Sequence, residues 1–370
     1  LAHEAVHRDG RARWGKVGLE SEVAKLKEAA EPGSTDAAAP YAEYWFGTHP
    51  NGPSSIVVPG EGGAEEVVPL QDWLKAHPEE LGGERVIALC EGDAALPYLF
   101  KVLSIGKALS IQAHPAKERA SILHAERPDV YKDGNHKPEM TCALTPMDAM
   151  CGFRAAGEIA ANLAAVPELR AMCGEEAAAA FEAAADGDGA SAALKALFTS
   201  YMTCSADVVA AQSAALAARL SAAEEAGALS ETDAHALRLT REYPGDVGVV
   251  APYVLNCVTL SPGDGLFLAA NEPHAYMSGD CFEIMACSDN VVRAGLTPKL
   301  RDTDTLCDIL TYRMGDPDVV PGDDVDACLR NYIVPVPEFQ LQRVTVPAGG
   351  EYALPAPPSA AIIVVYAAGE

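Results

Sequence analysis

Between Ser54 and Arg154, short apolar stretches alternate with turns bearing Gly, Pro and Asn, the pattern of β-strands. The character changes at Gly157. From there to about Arg241 alanine dominates, leucines recur at helical spacing and β-branched runs almost vanish. This predicts a block of several helices, broken near Asp186-Gly-Asp-Gly189. Strand signals return from Val247, in Tyr253-Val-Leu-Asn-Cys-Val-Thr-Leu260 and Gly265-Leu-Phe-Leu-Ala269. The order is β, then α, then β, with no internal repeat at a fixed short period.

Three stretches place polar side chains where strands would ordinarily bury apolar ones. In Leu109-Ser-Ile-Gln-Ala-His-Pro115, read as a strand, Leu109, Ile111 and Ala113 share one face, and Ser110, Gln112 and His114 share the other. A polar inner face suits a barrel that encloses a polar site; a solvated edge with an incidental histidine fits these residues equally. In Asp133-Gly-Asn-His-Lys-Pro-Glu-Met140, Glu139 follows a proline-stiffened turn and opens a strand, Met140 to Leu144. Alone, that segment reads as a charged loop. In Leu260 to Tyr276 a Pro-Gly-Asp turn, a strand and Pro273-His274 follow one another, which also fits an ordinary hairpin with a core histidine. Together the three segments supply Gln112, His114, Glu139 and His274. Two imidazoles and two oxygens suit a tetrahedral or five-coordinate zinc with an open position, although spacing alone does not separate zinc from manganese, cobalt or iron. A neutral glutamine in place of a second carboxylate leaves the site net positive, which preserves the metal's power to polarise a substrate oxygen.

Composition narrows the classes. At 370 residues and 49% hydrophobic the chain is expected to form two or three domains. A net charge of −26 lacks the basic footprint that nucleic acids and anionic membranes require. No apolar run approaches the roughly 18–20 residues that span a bilayer. The first residue is Leu1 rather than methionine, and Leu1 to Gly10 are polar and charged, so no secretory signal is expected. The ten cysteines form no Cys-x-x-Cys pair, so neither a zinc knuckle nor a thioredoxin-like motif is signalled, and reduced thiols in a cytoplasmic protein are expected. Local charge runs against the global balance. Residues 101–140 hold seven Lys/Arg against five acids, and residues 288–301 hold Arg293, Lys299 and Arg301 against Asp289 alone. Net-positive motif segments in an acidic chain point to an anionic substrate.

Ser110-Ile-Gln-Ala-His-Pro115, Asn135-His-Lys-Pro-Glu139 and Ser288-Asp-Asn-Val-Val-Arg-Ala-Gly-Leu-Thr-Pro-Lys299 resemble the signature blocks of type I mannose-6-phosphate isomerases. Trp14-Gly-Lys-Val-Gly18 with Ser21 to Leu26, and Tyr44-Trp-Phe-Gly-Thr-His-Pro50, are similar too, in the family's order and spacing. The resemblance implies a mainly β chain with an α-helical insertion: two cupin-type (jelly-roll) barrels plus a helical domain. The expected divisions are 1–154 and 242–305 for the catalytic cupin, 155–241 for the insertion and 306–370 for a second cupin. Two departures sit at the ends. Val6 to Arg13 makes a poor strand where the family carries one, and Ala361 to Glu370 stops where the family continues, so the second cupin is expected to be incomplete.

The resemblance further implies a monomeric enzyme interconverting mannose 6-phosphate and fructose 6-phosphate, with one Zn2+ held by the four residues named. Such an isomerisation moves a proton between C1 and C2 through a cis-enediol. It needs a base, an electrophile and a phosphate anchor. The family places Arg293 in the active site, to bind phosphate or stabilise the enediolate; a salt bridge to Asp289 or Glu283 is the structural alternative. Lys137 and His136 are candidates for proton transfer. Ser110, Lys299, Asp289 and Glu283 are expected to bind substrate. Two rival readings are a non-haem iron oxygenase using His114, Glu139 and His274, and a non-catalytic sugar-binding cupin. The first leaves Gln112 and the basic clusters unexplained. The second predicts a lost ligand or a lost Arg293, and both are present.

Overall fold

The structure, a computed structural model, describes residues 3–4, 13–60, 64–90 and 92–366. Positions 5–12 lie outside this range, and with them nearly all of the stretch from Val6 expected to make a poor strand. The described chain is a mixed α and β structure with one large sheet and a helical portion. Nine strands of the sheet frame the site: β1 (Glu43–Phe46), β2 (Tyr98–Ile105), β3 (Ile111–Ala113), β4 (Glu139–Ala143), β5 (Met147–Phe153), β6 (Leu255–Leu260), β7 (Gly265–Leu268), β8 (His274–Ala286) and β9 (Val292–Gly295). Two later strands, β10 (Leu329–Tyr332) and β11 (Leu341–Val344), belong to a small separate sheet.

Helices take a larger share than a mainly β chain implies. α1 (Glu22–Ala30), α2 (Leu70–Ala76), α3 (Glu84–Leu89) and α4 (Lys117–Glu126) sit among the early strands, and a further helix, Thr303–Ile309, follows β9. In α2 the apolar residues Leu70, Trp73 and Leu74 recur at i, i+3 and i+4, a helical period hidden by the strand signals around it. Six helices fill Ala156 to Glu242, and the interruption between Ala184 and Ala190 falls at the Asp186–Gly189 turn. Serine caps start two of them: Ser205 accepts from Val208 N–H and Ser230 from Asp233 N–H. The strand expected from Tyr253 begins only at Leu255, because Val247–Tyr253 winds into a 3-10 helix whose first turn Asp246 caps at Gly248 N–H, 2.7 Å.

β8 joins the layers. Its second half pairs with β2 and β4, while its first half pairs with β5 and β3, so one strand serves two pairings in succession. The change comes around Gly279, at φ 108°, where an added Cβ would sit 2.7 Å from the Met147 Cα. Only glycine tolerates both the conformation and the approach. The helical block shares one core with the sheet: Leu163, Leu194, Phe198 and Leu216 cluster with Ile111, Ala113 and Ala294. Burying Ile111 and Ala113 against the helices turns the opposite, polar side of β3 inward. That sidedness builds the site.

Candidate metal centre

β3 is short because its neighbours decide where it pairs. Gln112 lies opposite His274 of β8 on one side and opposite Arg293 of β9 on the other. Cross-strand partners share a face with Cβ atoms about 5 Å apart. Arg293, Gln112 and His274 therefore form one row across three strands. His114 follows β3 on the same side, its Nε2 3.5 Å from the Gln112 amide nitrogen. Glu139, at the start of β4 and opposite Leu268 of β7, closes the group.

His114, Glu139 and His274 converge, with one ligand atom from each lying within 4.8 Å of the others. Glu139 Oε2 lies 3.4 Å from His114 Nε2 and 3.5 Å from His274 Nε2. Ligands about 2.0–2.1 Å from a tetrahedral zinc stand about 3.3 Å apart, so these edges match that geometry. Glu139 Oε2 and His274 Nε2 are buried and make no hydrogen bond, as atoms reserved for an ion would be. The other ring nitrogens are engaged: His114 Nδ1 donates to the Asn290 carbonyl at 2.7 Å, and His274 Nδ1 to that of Glu272 at 3.0 Å. Both contacts favour the tautomer that leaves a lone pair on Nε2.

The electrostatics agree. Burial, only partly opposed by Glu139, pushes the His114 imidazole down to about 4, so the ring is neutral near pH 7 as a ligand must be. Burial alone would raise the Glu139 carboxyl, but Lys137 and the imidazoles hold it well below the usual carboxylate range.

The remaining expected residues divide. Lys137 reaches the cluster as an ion-pair partner of Glu139, at 2.9 Å. His136, beside it, contacts Glu338 at 2.5 Å. Arg293 forms no salt bridge to Asp289 or Glu283. Burial alone perturbs it, lowering its pKa, so a guanidinium stands in the row with no carboxylate among the described residues paired to it. Asp289 instead meets His49 and Asn51, at 3.4 and 2.9 Å, and Glu283 holds Lys101 at 2.9 Å. Asp289 stays close to the site nonetheless. The His49 hydrogen bond depresses its carboxyl most, and Lys137 and Lys101 add to the shift. Ser110 donates to Gln112 Oε1 at 3.2 Å. Lys299 lines a cavity of about 370 Å³ with Arg301, Cys204 and Asp246, beside the helical portion, and none of the four metal residues borders it.

Several site residues escaped sequence reasoning. Lys101 sits in β2, where every residue is buried, with Glu283 at 2.9 Å, Glu43 at 3.7 Å and the Trp45 ring 4.9 Å away. A lysine in so apolar a strand signals a buried partner, since an unpaired buried charge is prohibitive. Asp133 binds the loop after β8 through Ser288 Oγ at 2.8 Å, Asp289 N at 2.8 Å and Asn290 Nδ2 at 3.2 Å. Asn290 is the residue whose carbonyl orients His114, so Asp133 links the Lys137–Glu139 segment to the histidine. No local pattern marks it.

The fold and site define a class: a sheet protein with a helical portion and a buried two-histidine, one-carboxylate cluster beside an arginine that has no carboxylate partner among the described residues. The model for the type I phosphomannose isomerase catalytic domain matches residues 8–156, and that for the family's helical insertion domain matches residues 172–255. The chain is 41% identical to mannose-6-phosphate isomerase 2 of Arabidopsis thaliana, over 95% of this chain and 80% of that protein. It is 42% identical to the Homo sapiens mannose-6-phosphate isomerase, over 95% and 84%. A crystal structure of the Salmonella typhimurium enzyme bound to fructose 6-phosphate and zinc superposes with a TM-score of 0.72 at 31% identity, covering 89% of this chain and 79% of that one. The chain belongs to the type I phosphomannose isomerase family.

Proposed function

We propose that this chain interconverts mannose 6-phosphate and fructose 6-phosphate with one zinc ion held by Gln112, His114, Glu139 and His274. The observation that carries the reading is the convergence of Glu139 Oε2 on two histidine Nε2 atoms at 3.4 and 3.5 Å. The names of the relatives and the fructose 6-phosphate and zinc of the Salmonella structure support the substrate pair. When bound, zinc supplies a Lewis acid for the sugar's carbonyl and hydroxyl oxygens.

The chain's own residues do the rest. Gln112 joins through its side-chain oxygen, which a rotation of the amide directs toward the ion, since oxygen and nitrogen are interchangeable by a flip. Arg293 binds anionic oxygen of the substrate as a planar fork, and the lack of a carboxylate partner among the described residues keeps it available. Lys137 and His136 move the proton between C1 and C2, by way of a cis-enediol. Asp289 and Glu283 accept from sugar hydroxyls, held by His49 and Lys101 respectively. Ser110 orients Gln112, and Lys299, in its cavity beside the helical portion, adds positive charge to the chain's anion-binding side without bordering the metal residues.

The architecture behind this reading is a catalytic cupin barrel in two parts, 1–154 and 242–305, interrupted by a helical insertion at 155–241, with a second cupin-type unit from 306. A coupled assay following fructose 6-phosphate formation from mannose 6-phosphate, with and without chelator, tests the function. Turnover abolished by chelator and restored by zinc is the expected result; turnover indifferent to chelator rejects it.

A further inference from the structure

The residue that touches His136 comes from the far end of the chain. Glu338 Oε1 lies 2.5 Å from His136 Nε2, across 202 positions of sequence. The two side chains are 7% and 20% exposed. Glu338 stands between β10 and β11, in a segment that is firmly packed: Tyr332, Val334, Phe339 and Leu341 share a core with Met140, Cys142 and Phe267 of the large sheet. The C-terminal strands therefore clamp this carboxylate against the loop that leads into Glu139.

Two features separate the contact from an ordinary surface ion pair. The second oxygen, Glu338 Oε2, is buried without a hydrogen-bond partner, so His136 is the only side chain among the described residues that donates to this carboxylate. Burial alone would raise the Glu338 carboxyl, but the His136 hydrogen bond brings it below its ordinary value, with help from Lys117. Lys117 is three positions beyond His114 and His136 three before Glu139, so the chain keeps both within a few residues of the metal cluster. His136 Nδ1 makes no hydrogen bond among the described residues.

We propose that Glu338 is a positioning residue: by accepting the Nε2 proton it fixes the His136 tautomer whose lone pair lies on Nδ1, leaving Nδ1 to exchange a proton with the sugar. This rests on the isomerase reading above. The ring takes the proton from one sugar carbon and returns it to the other, so it ends each turnover neutral and nothing is oxidised or consumed. The C-terminal unit thereby contributes to catalysis through a side chain, and not only by covering the barrel.

The test is a double-variant cycle on the full chain, Glu338→Gln, His136→Asn and both together, with zinc content and melting temperature recorded for each. Glutamine keeps the size but can present an amide N–H to the ring and reverse the tautomer. The expected result is a fall in kcat of about 10- to 100-fold for Glu338→Gln, the scale for losing a partner that orients a histidine, with KM and zinc little changed. Glu338→Gln should add little to His136→Asn, because the two act as a unit. Wild-type turnover in Glu338→Gln, or losses that multiply in the double variant, overturns the proposal. Nitrogen NMR of His136 in the unmodified protein gives a readout independent of turnover: an Nδ1–H tautomer at neutral pH also overturns it. If the unmodified, zinc-loaded chain turns over no sugar phosphate, the isomerase reading falls, while the NMR still decides whether Glu338 sets the tautomer.

Discussion

Arg293 stands opposite Gln112 in the antiparallel pairing of β9 with β3, and Gln112 stands opposite His274 in the pairing of β3 with β8. A single cross-strand row thus carries a guanidinium, an amide and an imidazole on one face. It ties the candidate metal ligands to the candidate anion-binding group by backbone hydrogen bonds. Their relative positions are set by sheet register, which a rotamer change cannot undo.

The metal assignment leads to the simplest expectation. Elemental analysis should find about one zinc per chain, and His114→Ala or His274→Ala should each lose most of it, because a three-ligand remnant with a disturbed carboxylate binds far more weakly. Stoichiometric zinc in both variants would remove these residues from the site.

Arg293 and Lys137 separate binding from chemistry. Arg293→Lys keeps the charge but loses the planar fork, and kcat should fall by about 100-fold, the scale for a donor that acts on developing charge. Lys137→Met should lower kcat by ~10²–10⁴ if the ammonium carries the proton, with zinc retained. A rise in KM at constant kcat in either variant would mean that the residue binds substrate uniformly and takes no part in the transition state.

Asp133 should control zinc affinity without touching the ion. Asp133→Asn weakens the bonds to Ser288, Asp289 N and Asn290 while keeping the shape, and the loosened Asn290 carbonyl no longer orients His114. Chelator competition should show zinc held about 10- to 100-fold more weakly. The metal-free protein should melt within a few degrees of the unmodified one. Equal zinc affinity would show that the histidine is oriented without the clasp.

Asp302 offers a stability test away from the chemistry. Its carboxylate accepts from Arg127 at 2.5 Å, Tyr131 at 2.7 Å and Thr305 N–H at 3.2 Å, tying the end of α4 to the cap of the Thr303–Ile309 helix. Burial works against the charged form, but the Tyr131, Thr305 and Arg127 contacts hold the carboxyl below its ordinary value. A carboxyl depressed on folding stabilises the protein above its unfolded pKa of about 4 and loses that contribution as the pH drops through the folded value. Asp302→Ala should cost about 1–3 kcal/mol at pH 7 by urea unfolding, the sum of a lost cap and a lost charged hydrogen bond. The difference from the unmodified protein should shrink below pH 4; a difference constant from pH 7 to pH 3 would contradict this account.

What the sequence determined by itself was local. Alanine and leucine spacing announced helices from Gly157 to about Arg241, where six helices fill Ala156 to Glu242, and the alternation from Leu109 to His114 announced a polar face on β3. Both are legible because helix and strand periods are short-range properties of the chain. Only the tertiary structure decided that Arg293 and Gln112 are neighbours, that Lys101 pairs with Glu283, that Asp133 clasps Asn290 and that Glu338 meets His136. These contacts join residues 157 to 202 positions apart, whereas Lys137–Glu139 beside them is local. Register and long-range packing arise when sheets close and cores fill, and no window of sequence contains both partners of such a contact.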